Sequence, residues 1–397
     1  MKNINSGFYL YNKQIYFNRE IAFGDMLLNN DFNSELQYYF NDNIFNKFDW
    51  SKEPNINISR LYKLRAQQIR DKYNYVVIAF SGGSDSTQVL MSFLKNNIFV
   101  DEICISIPEK LINAADKQIL LDDRNLILFM EYEYSVKPIL KFVKEKSPNT
   151  KIVIHDTSDY LFDKFSQNEF SVICDPIVTP RIIGGINIGF SHNYLHNELT
   201  KNDKNKTCLV RGAEKPTFII ENDNKLYFRF FDSPIATIGY VNYCRISKSI
   251  EPSYEHEEFF WSADMPLIPI KQSHMILNRL KNDSALLNKY IFYKQKLDEF
   301  RKQNIVPPIS FSSSHSERIF DDIIYPDWNP NTFVAVKPTE NPEFKLYEMV
   351  VGKNNTQEFR EETKKFKEKK YEKIVNKLQF YNPIFSRSYY VGEILKC

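Results

Sequence analysis

Residues 8–23 alternate aromatic and polar side chains around Asn12 and Lys13, which predicts a β-hairpin with a short turn. Leu61, Leu64 and Ile69 then recur at helical spacing and predict a helix over residues 58–72. An unbroken apolar run follows, Tyr75-Val76-Val77-Ile78-Ala79-Phe80, short enough for a strand buried inside a parallel sheet. From Thr87 onward Val89, Leu90, Phe93 and Leu94 line one helical face, and residues 100–107 supply a second strand that Pro108 stops. Together these make one βαβ unit. A helix over residues 138–146 with proline in its first turn, a strand over 151–155 and another over 208–210 continue the alternation. Residues 217–231 predict a hairpin that turns at Asn222-Asp223-Asn224, and beyond residue 251 helices take over, at 266–280 and 285–302.

That order predicts an α/β fold. A parallel, doubly wound sheet occupies residues 71–250, behind an N-terminal cap of hairpin and helix in residues 1–70, and a mostly helical C-terminal lobe fills residues 251–397. Residues 353–377 are dense in Lys and Glu, which predicts a solvated helix braced by neighbouring opposite charges.

Composition narrows the function more than the fold. With 397 residues, 43% hydrophobic and 15% aromatic, the chain can bury a large core. Its 52 basic and 50 acidic side chains nearly cancel, so no global field would hold it on nucleic acid or an anionic membrane. The five cysteines, Cys104, Cys174, Cys208, Cys244 and Cys397, include no CxxC pair; this argues against a disulfide framework or structural zinc and for free thiols in a reducing cytoplasm. Residues 1–9 lack the pattern of a secretory signal, and no stretch approaches the ~20 apolar residues of a membrane span, so a cytoplasmic protein without membrane partners is expected.

Only 11 glycines occur in the chain, yet two stand together in Ser81-Gly82-Gly83-Ser84-Asp85-Ser86-Thr87. A strand entering this loop and a helix leaving it set a row of unpaired backbone amides at a positive helix N-terminus, which is an anion cradle. The glycines let the backbone approach a phosphate closely, and the hydroxyls of Ser81, Ser84, Ser86 and Thr87 add donors. Asp85 suits this place if it holds a magnesium ion or caps the helix. The loop lacks the Lys of a Walker motif and the GxGxxG of a Rossmann dinucleotide loop.

A phosphate held on this loop would bring negative charge that a fixed cation would stabilise, and the loop contains none. Lys215 and Arg211, in the charged turn after the 208–210 strand, are the candidates, since open α/β sheets bind ligands at the carboxyl ends of their strands. His155 and Asp156 end another predicted strand and join the candidate acceptor pocket. Asp264 and Lys271, with Gln272 and His274, form a candidate lid or acceptor wall, with Asp264 also suited to capping the helix that follows. His192 and His196 stand four apart without a third ligand, Gly184-Gly185 reads as a turn, and Ser312-Ser313-Ser314-His315 as a loop. The segment from Ile324 to Trp328 suits packing within or between subunits.

The loop residues resemble the SGGxDS/T signature of the PP-loop ATP pyrophosphatases, the adenine nucleotide alpha hydrolase-like superfamily, including its place after an apolar strand. Relatives of that type include asparagine synthetase-like ligases, tRNA-modifying enzymes, cyano-deazaguanine synthases and sulfonucleotide reductases. The resemblance implies a HUP-like nucleotide-binding domain, ATP and magnesium as cofactors, β- and γ-phosphates on the loop, and adenine against the strand end at Ser106 and Ile107. It also implies adenylation of an acceptor carboxylate or amide oxygen, release of pyrophosphate, and displacement of AMP by a nucleophile. A carbon–nitrogen ligase is the first expectation, because the scattered cysteines do not offer a sulfur-transfer pair. Lys2 stands where asparagine synthetases carry a nucleophilic Cys, so an integral glutaminase is not expected. Modification of tRNA or another nucleic acid, with RNA as partner, is the second class; the terminal Cys397 leaves a sulfonucleotide reductase-like enzyme open. A nucleotide-binding regulator without catalysis is the third.

Overall fold

A computed structural model describes residues 7–166 (except 18 and 32), 206–232 (except 213, 214, 222 and 223), 254–302, 318–361 (except 330, 332, 334–341 and 359) and 384–394. Strands β1 (Phe8–Tyr11) and β2 (Gln14–Tyr16) form a hairpin about the expected turn, but it ends at Tyr16 and not at residue 23, because a helix begins at Arg19. Asn12 (φ 48°) and Lys13 (φ 66°) both take the left-handed conformation that a two-residue hairpin turn demands. Helix α1 (Arg19–Leu28), strand β3 (Gln37–Tyr39) and the short α2 (Asp42–Phe45) complete this region, with β3 pairing on β1. Helix α3 (Ile58–Lys72) starts where the Asn57 side chain accepts from the Arg60 amide at 2.7 Å.

The centre of the molecule is a five-stranded parallel sheet flanked by helices, a Rossmann-like arrangement. Its middle strand β4 (Tyr75–Ala79) buries Val76, Val77 and Ile78 completely, as a strand between two other strands must. Helix α4 (Ser84–Leu94) leads to β5 (Glu102–Ile107); α5 (Glu109–Ala114), α6 (Lys117–Asp122), a π-helical turn (Tyr132–Val136) and α7 (Lys137–Lys146) lead to β6 (Lys151–Asp156). Helix α8 (Ser158–Ser166) follows, then β7 (Thr207–Arg211), which returns to the other side of β4. The strand order is β10-β7-β4-β5-β6, where β10 is Tyr254–Glu258. The chain therefore steps outward one way from β4 through β5 to β6 and restarts on the opposite side with β7, a topological switch point at the carboxyl ends of β4 and β7.

Strands β8 (Thr217–Ile220) and β9 (Lys225–Phe231) form the expected hairpin, with the Asn222-Asp223 part of its turn outside the described residues. Helices α9 (Leu267–Asn282), α10 (Ser284–Lys302), α11 (Asp321–Ile324) and α12 (Pro342–Val351) are the helical part of the C-terminal region. Two strands were not expected there. β10 is the edge of the central sheet, and β11 (Phe385–Glu393) pairs antiparallel with β9. Strand pairing therefore runs across the expected boundary near residue 250.

One apolar core runs from Tyr9 to Ile394. Its aromatic heart joins the N-terminal region to the β8–β9–β11 sheet: Trp50 stacks on Phe228 (4.9 Å between centroids) and on Tyr389 (4.6 Å), and Phe45 lies 4.5 Å from Phe230. Among the described residues no helix is long and apolar enough to cross a membrane.

Candidate functional site

The residues 81–87 sit at the switch point. The chain leaves β4, turns through Gly82 at φ +82° and enters α4, whose first-turn amides have no partners within the helix. Gly82 is required twice: a side chain there would be strained, and its Cβ would come within 2.7 Å of Val136 Cγ2. The hydroxyls close on one another. Ser81 Oγ lies 3.2 Å from Ser86 Oγ, the Ser81 amide donates to Ser86 Oγ at 3.3 Å, and Thr87 Oγ1 donates to the Gly82 carbonyl at 3.4 Å.

Lys215 reaches this loop from the turn after β7. Its ammonium lies 3.0 Å from Asp85 Oδ1 and 2.5 Å from Asp321 Oδ1, and donates to Ser84 Oγ at 3.4 Å. Ser84 in turn donates to Asp321 Oδ2 at 2.6 Å. The Tyr325 ring lies 5.3 Å from the ammonium. Lys215 and Asp321 are only 5% and 3% exposed, so these charges interact with little screening. Burial disfavours the Lys215 ammonium, but Asp85 and Asp321 outweigh it and hold its pKa above the ordinary lysine value. Burial raises the Asp321 carboxyl, helped by the Asp85 charge and opposed by Lys215. Two carboxylates share one ammonium. Asp85 Oδ1 is buried and its partner is the Lys215 ammonium.

The segment carrying Asp321 is clamped onto α4. Gln88 donates to Asp327 Oδ2 at 2.9 Å and accepts from its amide at 3.0 Å, Lys95 pairs with Asp327 at 2.6 Å, and Tyr62 donates to the Ile324 carbonyl at 2.7 Å. Tyr325 is fully buried against Phe260, so this stretch packs within the subunit. Asp321 and Tyr325 are site residues that sequence reasoning missed; their only signal was an acidic pair, Asp321-Asp322, opening a short apolar run.

The other expected residues scatter. Arg211 ends β7 beside Glu258 of β10, directly before Gly212, where a Cβ would meet Val89 Cγ2 at 2.5 Å and the Asp85 carbonyl at 3.3 Å. Ser106 and Ile107 end β5, with the Ser106 hydroxyl buried and without a hydrogen bond. His155 and Asp156 pair with them across β6. Asp156 acts as a cap, accepting from the Ser158 amide at 2.9 Å and the Lys110 amide at 3.3 Å. Asp264 lies on the other flank, 3.9 Å from Lys72, and does not cap α9. Lys271 pairs with Glu53 at 2.7 Å, Gln272 donates to Tyr62, and His274 meets the Trp50 carbonyl at 2.9 Å. The polar residues of α9 thus engage the N-terminal region and not the loop. His192, His196, Gly184, Gly185, the 312–315 loop, Cys397 and residues 362–377 of the charged stretch lie outside the described residues.

Cys104 and Cys208 are free and buried, and burial pushes both thiols well above their ordinary range. Neither is a ready nucleophile. Among the described residues no group of three or more His, Cys, Asp or Glu could hold a metal ion. Magnesium does not require one, since it commonly takes one or two carboxylates and completes its shell with phosphate oxygens and water. The carboxylates of Asp85 and Asp321, both at Lys215, are the donors of that kind at the loop. No protein-family model, curated protein or solved structure matches the chain.

Proposed function

We propose that the protein is an ATP-dependent, adenylating ligase of the PP-loop type with a HUP-like nucleotide domain. The observation that carries this is the convergence of Lys215, Asp85, Asp321 and Ser84 on the first turn of α4, at the sheet's switch point. An anion cradle alone is common; one backed by a buried cation and two carboxylates matches a triphosphate and its metal.

The donor set fits the nucleotide. First-turn amides and the Ser81, Ser86 and Thr87 hydroxyls suit the terminal phosphates, and the buried Ser106 hydroxyl offers a polar atom where the base is expected. Asp85 and Asp321 would hold magnesium, whose charge would offset that of the triphosphate. Lys215, kept protonated by its neighbours, stabilises charge on the departing pyrophosphate. In the first step an acceptor oxygen bonds to the α-phosphorus as the α–β phosphoanhydride bond breaks and pyrophosphate leaves. In the second an amine nitrogen attacks the activated carbon, AMP leaves, and the nitrogen loses its proton.

Pyrophosphate release from ATP and magnesium, measured across a panel of acceptors and amines, tests this. Asp85→Ala and Lys215→Ala are each expected to lower the rate by about 10²-fold or more. Release unchanged in both variants would contradict the assignment.

A further inference from the structure

Beside the phosphate loop lies a second feature that nucleotide binding as proposed above leaves unused. A Cβ on Gly82 would meet Val136 Cγ2 at 2.7 Å and Ser135 Cβ at 3.3 Å, so no side chain separates the loop from the turn Tyr132–Val136. That turn is π-helical, a widened geometry that is frequent at functional sites. The residues next to Val136 along the same turn, Tyr134 and Ser135, wall a cavity of about 580 Å³ together with Leu121, Pro138, Ile139 and Phe333. Cavities of about 300–1,000 Å³ are the size that encloses a small organic ligand.

The chemistry of the wall selects the ligand. The Tyr134 and Phe333 rings stand 5.3 Å apart at 43°, and Leu121, Pro138 and Ile139 add apolar surface. The Ser135 hydroxyl is fully buried and already donates to the Phe333 carbonyl at 2.6 Å, which fixes the wall and leaves the Asn331 amide as the polar side chain beside the rings. Among the described lining residues there is no Lys, Arg, Asp or Glu. None of them belongs to β5, so the cavity is distinct from the Ser106 strand end.

We propose that this cavity seats the acceptor of the adenylation reaction and that the acceptor carries an uncharged aromatic ring. The proposal rests on the function proposed above and adds the substrate class. The ring packs against the Tyr134–Phe333 pair, and the oxygen to be activated is presented toward the loop at Gly82.

The test uses indole-3-acetate and acetate as probes, by saturation-transfer NMR without nucleotide, on wild type, Tyr134→Ala and Ile139→Arg. Tyr134 is 50% exposed and Ile139 is half-buried at the edge of the apolar core, and unchanged circular dichroism and thermal unfolding check that both variants stay folded. Wild type is expected to bind indole-3-acetate saturably and acetate not at all, with binding weakened about tenfold or more in both variants. ATP affinity in the variants is expected to stay within about twofold of wild type. Absence of saturable indole-3-acetate binding, or equal binding in all three proteins, would overturn the proposal. A matching loss of ATP affinity in both variants would also overturn it, because the cavity would then hold the nucleotide base. Because the probe is read without ATP, a wild type that binds indole-3-acetate and not ATP supports the ring site and sinks the adenylation function instead.

Discussion

Two buried ion clusters hang on the same sheet, and they differ in whether they are complete. Beside β10, Glu257 accepts from Arg65 at 2.6 Å on one oxygen, and from Lys72 at 2.7 Å and Tyr73 at 2.6 Å on the other. Burial alone would raise that carboxyl, but Arg65, Lys72 and Tyr73 outweigh it and hold it below the ordinary glutamate range. At the phosphate loop the balance is reversed: Asp85 and Asp321 share one lysine, and Asp321 is raised. The first cluster is closed and ties α3 to the sheet edge. The second is short of positive charge, a condition that a magnesium ion held by the two carboxylates would relieve.

Removing the more deeply buried cation from the closed cluster should have the largest effect on stability. Arg65→Met leaves the almost fully buried Glu257 carboxylate to Lys72 and Tyr73 alone, and a loss of about 3 kcal/mol is expected from urea unfolding, with ATP affinity of the folded protein unchanged. A loss below about 1 kcal/mol would erase the contrast between the clusters.

Glu343 extends the comparison to a carboxyl with no cation beside it among the described residues. It is 6% exposed, its Oε2 has no hydrogen bond, and burial raises its pKa from 4.5 to about 8. The folded state therefore keeps a proton that the unfolded chain releases. The stability this contributes is full below about pH 4.5 and is lost as pH rises toward about 8. Glu343→Gln should flatten that slope and stabilise the protein at pH 8 by on the order of 2 kcal/mol, read as a higher Tm than wild type. Identical pH dependence in the two proteins would show that Glu343 is solvated.

Gly82→Ala should act least on stability and most locally. A left-handed alanine pressed on Val136 costs about 1–2 kcal/mol, and the shifted loop should lose phosphate affinity. A variant as stable as wild type that binds ATP equally well would show that the loop is not held by this contact.

Legibility in the sequence followed how local each requirement is. The strand–turn–helix at residues 75–94 could be read because an apolar strand runs into glycines and small hydroxyl residues that suit a tight turn and a helix start. Lys215 followed from charge: a cradle without a cation needs one at a neighbouring strand end. Asp321 stands 106 residues from Lys215 in the chain, and an acidic residue before an apolar run looks like any helix cap. The polar face of α9 was equally ambiguous, since helical spacing gives which residues share a face and not whether that face meets a cleft or, as Lys271 does with Glu53, the N-terminal region. β10 escaped notice because Tyr-Glu-His-Glu-Glu has no apolar run, a pattern that suits a sheet edge.

Calorimetric titration of magnesium–ATP into wild type and Lys215→Ala tests the central claim most directly. Binding of about one nucleotide per chain by wild type, weakened about tenfold or more in Lys215→Ala, is the predicted result. No binding by wild type, or equal affinity in the two proteins, would contradict it.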